Sequence, residues 1–369
     1  MVVLSLFDGM GCGYIALKEL GAHVEKYFAS EIDKFAIKQT QHNFPDVIHL
    51  GDIENWREWD IDWKIIDLVL AGSPCQGFSF AGKHLNFDDP RSKLFFVFLD
   101  ILNHIKKFNP EIEFLLENVK MKKELKSLIS NILGISPVEI NSALVSAQNR
   151  QRLYWTNINS KPIGLFGELQ TDIPQPKDRG ILLKDILLPE SEIEDKYYIS
   201  SEAINRIIKN TFVDILLDQD TEKSKCMISG YTKMRSECNY IKVPHKSYCI
   251  DANYSKGPGV IDLTNCKRQI IIKLDKKANP KRNQDKADCF TAGGNSAGNH
   301  SDMDLIYLSP CYRTDLNFSV RRLTPYECCK LQTIPDWYIW VVSNSQIYKM
   351  LGNGWTIEVI KYILSFMKY

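Results

Sequence analysis

Long hydrophobic runs are missing from this 369-residue sequence. No stretch reaches the roughly 18 apolar residues that a membrane-spanning helix requires, and the start, MVVLSLFDG, lacks the basic region and cleavage site of a secretory signal. A cytoplasmic location is expected, with no membrane partner. Paired cysteines are missing too. The ten cysteines, at 12, 75, 226, 238, 249, 266, 289, 311, 328 and 329, form no CxxC and have no HxxxH nearby. That excludes the usual zinc spacing and any recognisable disulfide framework, so reduced thiols and no metal are expected. There are no internal repeats and no low-complexity tract. A net charge of one sign is nearly absent as well, at +1 for the whole chain. The balance is uneven, however: Lys223 to Lys286 holds fifteen Lys and Arg against five Asp and Glu, so the remainder carries about −9. That segment is either a basic patch for a polyanion or a solvated, loop-rich surface.

What is present is an ordinary globular composition, 44% hydrophobic and 25% charged, in a chain long enough for a large core and two domains. VVLSLF, KYFAS, DLVLAG and EFLLENV read as short buried strands, too short and too apolar for surface helices. GYIALKELG, KFAIKQTQHNF and SKLFFVFLDILNHIKKF between them have helical spacing, the last stopping before Asn109-Pro110. Alternating strands and helices predict a doubly wound α/β domain with a parallel sheet covered on both faces. Near residue 166 the polar, Pro-containing TDIPQPKDRG opens a stretch of weak periodicity rich in Lys, Asn, Ser and Gly. Order returns at RRLTPYECCKLQ, where Thr324 can cap a helix with Pro325 first and Glu327 third. The C-terminal segment has a Gly-Asn-Gly break followed by an amphipathic helix.

Several strand ends carry chemistry. LSLFDGMGCG runs from a strand through Gly9, Gly11 and Gly13 into a helix, which is either a plain tight turn or a loop that admits a ligand to the backbone. Glu31 ends the next strand, where an acid can hold ribose hydroxyls, and Asp52 closes a third. In AGSPCQGFSF, Cys75 follows the fourth strand. A cysteine there is either a packed core thiol or a nucleophile at the ligand-binding edge of the sheet, and the stretch alone leaves the two readings level. Pro74 fixes the chain direction, and the Gly-containing loop beyond is able to close over a substrate. Glu117, in LLENV, ends the next strand and would stand beside the thiol. Arg150 and Arg152, two residues apart, share a side if AQNRQRLYW is a strand; otherwise they are surface charges. A thiol, a carboxyl, guanidiniums and a nucleoside pocket suit methylation of cytosine at carbon 5 from S-adenosylmethionine. That carbon becomes nucleophilic only after a thiolate adds at carbon 6, and a carboxyl on ring nitrogen 3 favours the addition.

Taken in order along the chain, LFDGMGCG, GSPCQGFSFAG, ENV, QNRQR, RRLTPYEC and GNGWT resemble six motifs of the DNA cytosine-5 methyltransferases, over nearly the whole length. Enzymes that methylate exocyclic amino groups are expected to carry a Pro-Pro-aromatic motif where this chain has Ser73-Pro74-Cys75-Gln76. The resemblance implies a Rossmann-like S-adenosylmethionine-dependent methyltransferase fold at 1–165, a smaller irregular target-recognition domain at 166–318 and a return to the catalytic domain at 319–369. It implies Cys75 as nucleophile, Glu117 on ring nitrogen 3, and Arg150 and Arg152 as support, with Arg152 on the base oxygen. S-adenosylmethionine contacts are implied for Phe7, Asp8, Gly9, Gly11, Glu31, Ile32, Asp52, Ile53, Pro74, Leu94, Asn353 and Trp355. The implied partner is double-stranded DNA, whose target base must be flipped out, and the implied state is a monomer.

The sequence departs from the family at two cofactor positions. Ile32 stands where many members have an aromatic, and Trp355 where an aliphatic residue is common, so a reshaped adenine pocket is expected. A first motif so near residue 1 suggests a stand-alone bacterial or phage type without an N-terminal regulatory domain, of the restriction-modification kind or otherwise. DCFT, at 288–291, resembles a tripeptide of the tRNA-methylating branch, but CFTAGGNSAGN also suits the Gly-rich loop of the DNA enzymes. A tRNA cytosine-5 methyltransferase and a catalytically silent DNA-binding homologue are the alternatives.

Overall fold

The computed structural model describes residues 1–73, 90–163, 167–199, 216–217, 221–229, 239–244 and 318–367. Pro74, Cys75, the loop after them, the DCFT stretch and most of the basic segment lie outside the described residues. The chain divides into two compact units. One comprises Met1–Glu192, Gln219–Asn239 and Leu323–Tyr369; the other comprises Ile193–Asp218 and Tyr240–Arg322.

The first unit is built on a seven-stranded sheet. In chain order its elements begin β1 (Val2–Leu6), α1 (Cys12–Leu20), β2 (Lys26–Ser30), α2 (Lys34–Asn43), β3 (Ile48–Gly51) and β4 (Leu68–Ala71). They continue with α3 (Pro90–Lys106), β5 (Glu113–Val119), α4 (Lys123–Leu133), β6 (Ile135–Ser136), β7 (Val138–Asn141) and β8 (Gln151–Thr156). Strand order across the sheet is β3-β2-β1-β4-β5-β8-β7. All neighbours pair in parallel except at β8, which runs against both β5 and β7. The all-parallel expectation therefore fails at one strand. The link from β7 to β8 is short and carries no crossover helix, which leaves the antiparallel direction as the accessible one. β9 (Ser160–Ile163) and β10 (Glu168–Thr171) join β6 in a small separate sheet.

Alternation along the strands sends Leu4, Leu6, Val69, Ala71, Phe114 and Leu116 to one face. There they pack with Phe95, Phe98, Ile101, Leu102 and Ile105 of α3, whose spacing makes one apolar stripe. On the other face α1 approaches the sheet at Gly13, beside Leu70 and Tyr27, and of the C-terminal helices α5 (Pro325–Leu331), α6 (Asn344–Asn353) and α7 (Ile357–Leu364), α5 packs with α6 and α7 lies directly on α1. Local signals set the helix ends. Asp33 caps α2 by accepting from the Phe35 amide, and Thr324 with Glu327 closes a capping box ahead of Pro325. The cap at Thr324 is the one that the sequence pattern predicts.

In the second unit, β11 (Leu216–Leu217) pairs in parallel with β12 (Tyr240–Pro244), which pairs antiparallel with β13 (Phe318–Arg322). Residues 193–199 lie along β13, where the Ile199 amide donates to the Val320 carbonyl.

Candidate active site

Parallel strands present their carboxyl ends on one edge, and that edge collects the sequence-predicted residues that follow or end β1, β2, β3 and β5. At the end of β1, Phe7 holds a left-handed backbone conformation, φ 59°, which is uncommon for a bulky residue and aims the following loop. Gly9 and Gly11 follow, also at positive φ, and Gly11 starts α1. Glu31, just past β2, accepts from the Gly9 amide through Oε2 and from the Ile32 and Asp33 amides through Oε1, each at 2.8 Å. The acid and the glycine loop are thus brought together, as their spacing suggests. Ile32 is 73% exposed. Asp52, beyond β3, caps a short turn through the Glu54 amide at 2.9 Å, and Ile53 is buried against the core. Leu94 lies partly buried on α3 against the same core, and Asn353 is exposed at the end of α6.

Asp8 is buried under the glycine loop. Its Oδ1 accepts from the Tyr27 hydroxyl at 2.7 Å, while Oδ2 has no hydrogen-bond partner among the described residues. Burial pushes its carboxyl up to about 6, held from rising further by the Ser5 and Tyr27 hydroxyls nearby. Burial likewise raises the neighbouring Cys12 thiol to about 12, which makes it an inert packing group rather than a nucleophile.

Two of the catalytic candidates, Glu117 and Arg152, meet at the end of β5. Arg152, on β8, places Nε 2.9 Å from Glu117 Oε1, and both side chains are nearly buried. Burial opposes the charge on Arg152, but the Glu117 carboxylate together with Cys226 and Tyr154 outweighs it and holds the guanidinium above its ordinary value. The other oxygen of Glu117, Oε2, accepts from the Trp355 indole N–H at 3.2 Å. Next along β5, Asn118 donates to both the carbonyl and the hydroxyl of Ser73 at 3.3 Å. This ties the carboxylate's strand to the residue two places before Cys75.

Arg150 lies deeper. Its Nη1 donates to the Met227 carbonyl at 3.1 Å and to Cys226 Sγ at 3.2 Å, and its Nη2 to the carbonyls of Gly354 at 2.8 Å and Gly352 at 3.3 Å. One buried guanidinium therefore joins β8, the 221–229 segment and the Gly-Asn-Gly break. Gln148 assists, donating to the Leu331 carbonyl and accepting from the Met227 amide. Sequence reasoning missed Cys226, whose sulfur lies within 3.6 Å of Arg152 Nη2 as well. Nothing in SKCMISG distinguishes it from the other scattered cysteines. Arg150 and Arg152 do share a side, as expected for a strand.

Among the described residues, no group of three or more His, Cys, Asp and Glu side chains is placed to hold a metal, and no helix is long and apolar enough to cross a membrane. The family profile described as C-5 cytosine-specific DNA methylase matches residues 1–368. The type II methyltransferase M1.ScrFI of Lactococcus lactis subsp. cremoris is 31% identical over 373 residues, spanning 97% of this chain and 75% of that protein. M.HpaII of Haemophilus parainfluenzae is 27% identical over 97% of this chain and 86% of its own length. Among solved structures, the Entamoeba histolytica methyltransferase EhMeth superposes with a TM-score of 0.63 at 17% identity, covering 99% of this chain and 97% of that one, so the fold is shared. With that match from end to end, and with Glu117 and Arg152 paired at the edge where the motifs converge, the chain belongs to the C-5 cytosine-specific DNA methylase family and is a DNA (cytosine-5-)-methyltransferase.

Proposed function

We propose that this enzyme transfers a methyl group from S-adenosylmethionine to carbon 5 of a cytosine flipped out of a short duplex DNA sequence, through a transient bond between Cys75 and carbon 6. The observation that carries this reading is the buried Glu117–Arg152 pair, tied through Asn118 to Ser73 at the threshold of Cys75. The Cys75 thiolate adds to carbon 6, and the ring electrons shift toward carbon 5 and ring nitrogen 3. Glu117 meets nitrogen 3, and Arg152 supports both the carboxylate and the base oxygen. After transfer, loss of the carbon 5 proton expels the thiolate and restores the aromatic ring.

The cofactor edge fits S-adenosylmethionine. A Cβ on Gly9 or Gly51 would meet nothing within 4 Å, leaving the loop edge open to a ligand's close approach. Around that opening Phe7, Asp8, Gly11, Glu31, Ile32, Asp52, Ile53, Leu94, Asn353 and Trp355 would supply the walls, with Pro74 at the strand exit. When bound, the group supplies an electrophilic methyl. Target recognition is assigned to 166–318, where the excess of Lys and Arg from 223 to 286 would bind phosphates and polar side chains would read the major groove. The enzyme would act in the cytoplasm as a monomer.

Bisulfite sequencing of DNA from a methylation-free bacterial host, with wild type beside Cys75→Ala, tests this. Protection of cytosines in one short context, present only with the thiol and with cofactor affinity unchanged in the variant, is the expected result. Full activity of Cys75→Ala overturns the mechanism. Unprotected DNA from a host making cofactor-binding wild type overturns the DNA assignment in favour of RNA or a silent binder.

A further inference from the structure

Trp355 stands just past the Gly-Asn-Gly break, and its indole N–H donates to Glu117 Oε2 at 3.2 Å. We infer that Trp355 is a positioning residue for methyl transfer: it fixes the Glu117 carboxylate in the plane and direction from which that group meets the base. This rests on the reading that Glu117 contacts ring nitrogen 3.

A glutamate reaches its carboxylate through three rotatable bonds, and a single donor leaves the carboxylate free to turn about the contact. Arg152 Nε holds only Oε1, at 2.9 Å. A second donor on Oε2 removes that freedom and still leaves a lone pair on each oxygen for a substrate. The donor is itself immobilised. Trp355 is 7% exposed, and its indole lies against Gly72, where a Cβ would come within 3.0 Å of Nε1 and 3.2 and 3.3 Å of two ring carbons. Its backbone follows Gly354, where a Cβ would come within 2.9 Å of the Met350 carbonyl oxygen and 3.2 Å of Cys12 Sγ. Few rotamers are open to a ring packed this closely, so the N–H is preorganised toward the carboxylate before any substrate arrives. Gly72 also begins the exit toward Cys75, so the indole is braced against the strand that carries the nucleophile. An aliphatic side chain at this position fills space but offers no donor. Because the contact is charge-assisted and buried, its loss is felt in the reacting geometry rather than at the surface.

Trp355→Phe keeps an aromatic ring over Gly72 and removes the N–H. With the full-length enzyme and duplex DNA, kcat is expected to fall about tenfold to a hundredfold, the range for one hydrogen bond to a charged group. KM for S-adenosylmethionine should move far less. In a Glu117→Gln background, Trp355→Phe should change the single-turnover rate little, because the group it positions is already lost. In ligand-free protein, the 15N-indole resonance absent from Trp355→Phe should shift on Glu117→Gln. Fully additive rate losses, an effect confined to the cofactor KM, or an indole resonance that ignores Glu117 would overturn the inference. Wild type inert on DNA would instead overturn the activity it rests on, and the indole resonance would still report the contact.

Discussion

A methyl group added at Gly352 offers a direct test of how the Arg150 tie holds the catalytic unit together. An ideal Cβ there falls 2.2 Å from the Ile228 carbonyl carbon, 2.3 Å from the Ser229 nitrogen and 2.5 Å from the Ile228 oxygen. Ordinary contact begins at 3.4 Å, so one of two backbones must retreat by more than an ångström. Both are anchored to Arg150, through the carbonyls of Met227 at 3.1 Å and of Gly352 at 3.3 Å. A retreat of that size breaks at least one of those hydrogen bonds. Overpacking costs about 1–3 kcal/mol, and a hydrogen bond to a charged group about 1.5–3 kcal/mol. Gly352→Ala is therefore expected to lose about 3–5 kcal/mol, a large share of the roughly 5–15 kcal/mol of a typical folded domain. At a urea slope of about 3 kcal/mol per molar, the midpoint should fall by about 1–1.7 M. Urea unfolding of Gly352→Ala is compared with that of Asn353→Ala, an exposed neighbour that should stay within about 0.5 kcal/mol of wild type. A Gly352→Ala midpoint within about 0.3 M of wild type, roughly 1 kcal/mol at that slope, would refute the reasoning.

Asp8 predicts a pH dependence of stability. Its folded value of about 6 lies above the ordinary 3.8, so its contribution is full below pH 3.8 and is lost as pH rises through about 6. Across that window wild type should lose about 3 kcal/mol relative to Asp8→Asn, and parallel stability curves for the two proteins would contradict the burial argument. The capping box at Thr324 predicts a loss of about 1 kcal/mol for Thr324→Ala, because the Glu327 amide then loses its acceptor at the start of α5. An unchanged melting temperature would show that the cap contributes nothing in this context.

Much of the fold was legible because it is local. Short, continuous apolar runs mark β1, β2, β4 and β5, and Thr324 announces a helix start within three residues of the amide it caps. Glu117 and Arg152 were each legible as site candidates through their motifs, while their ion pair with each other was not. What escaped was set by distant partners. Arg150 meets residues 77, 202 and 204 places away in the chain, and no pattern near AQNRQR foretells a thiol at 226 or two glycine carbonyls. Asp8 reads as part of a glycine loop, and only Tyr27 behind it shows that the carboxyl is buried. Trp355 reads as an altered cofactor wall, and its hydrogen bond to Glu117 depends on the room above Gly72. The reversed direction of β8 follows from a short connection that apolar spacing does not report.

The packing of α7 on α1 sets an order in time as well as a place in space. A ribosome delivers residues 12–20 well ahead of residues 357–364, so the first helix of the glycine loop waits uncovered while the chain between them is made. Ile15, Ala16 and Leu17, fully buried in the finished enzyme, stay without that cover during the wait. A nascent chain can lay down its central strands early, yet it becomes a closed catalytic unit only once residues 357–364 have emerged.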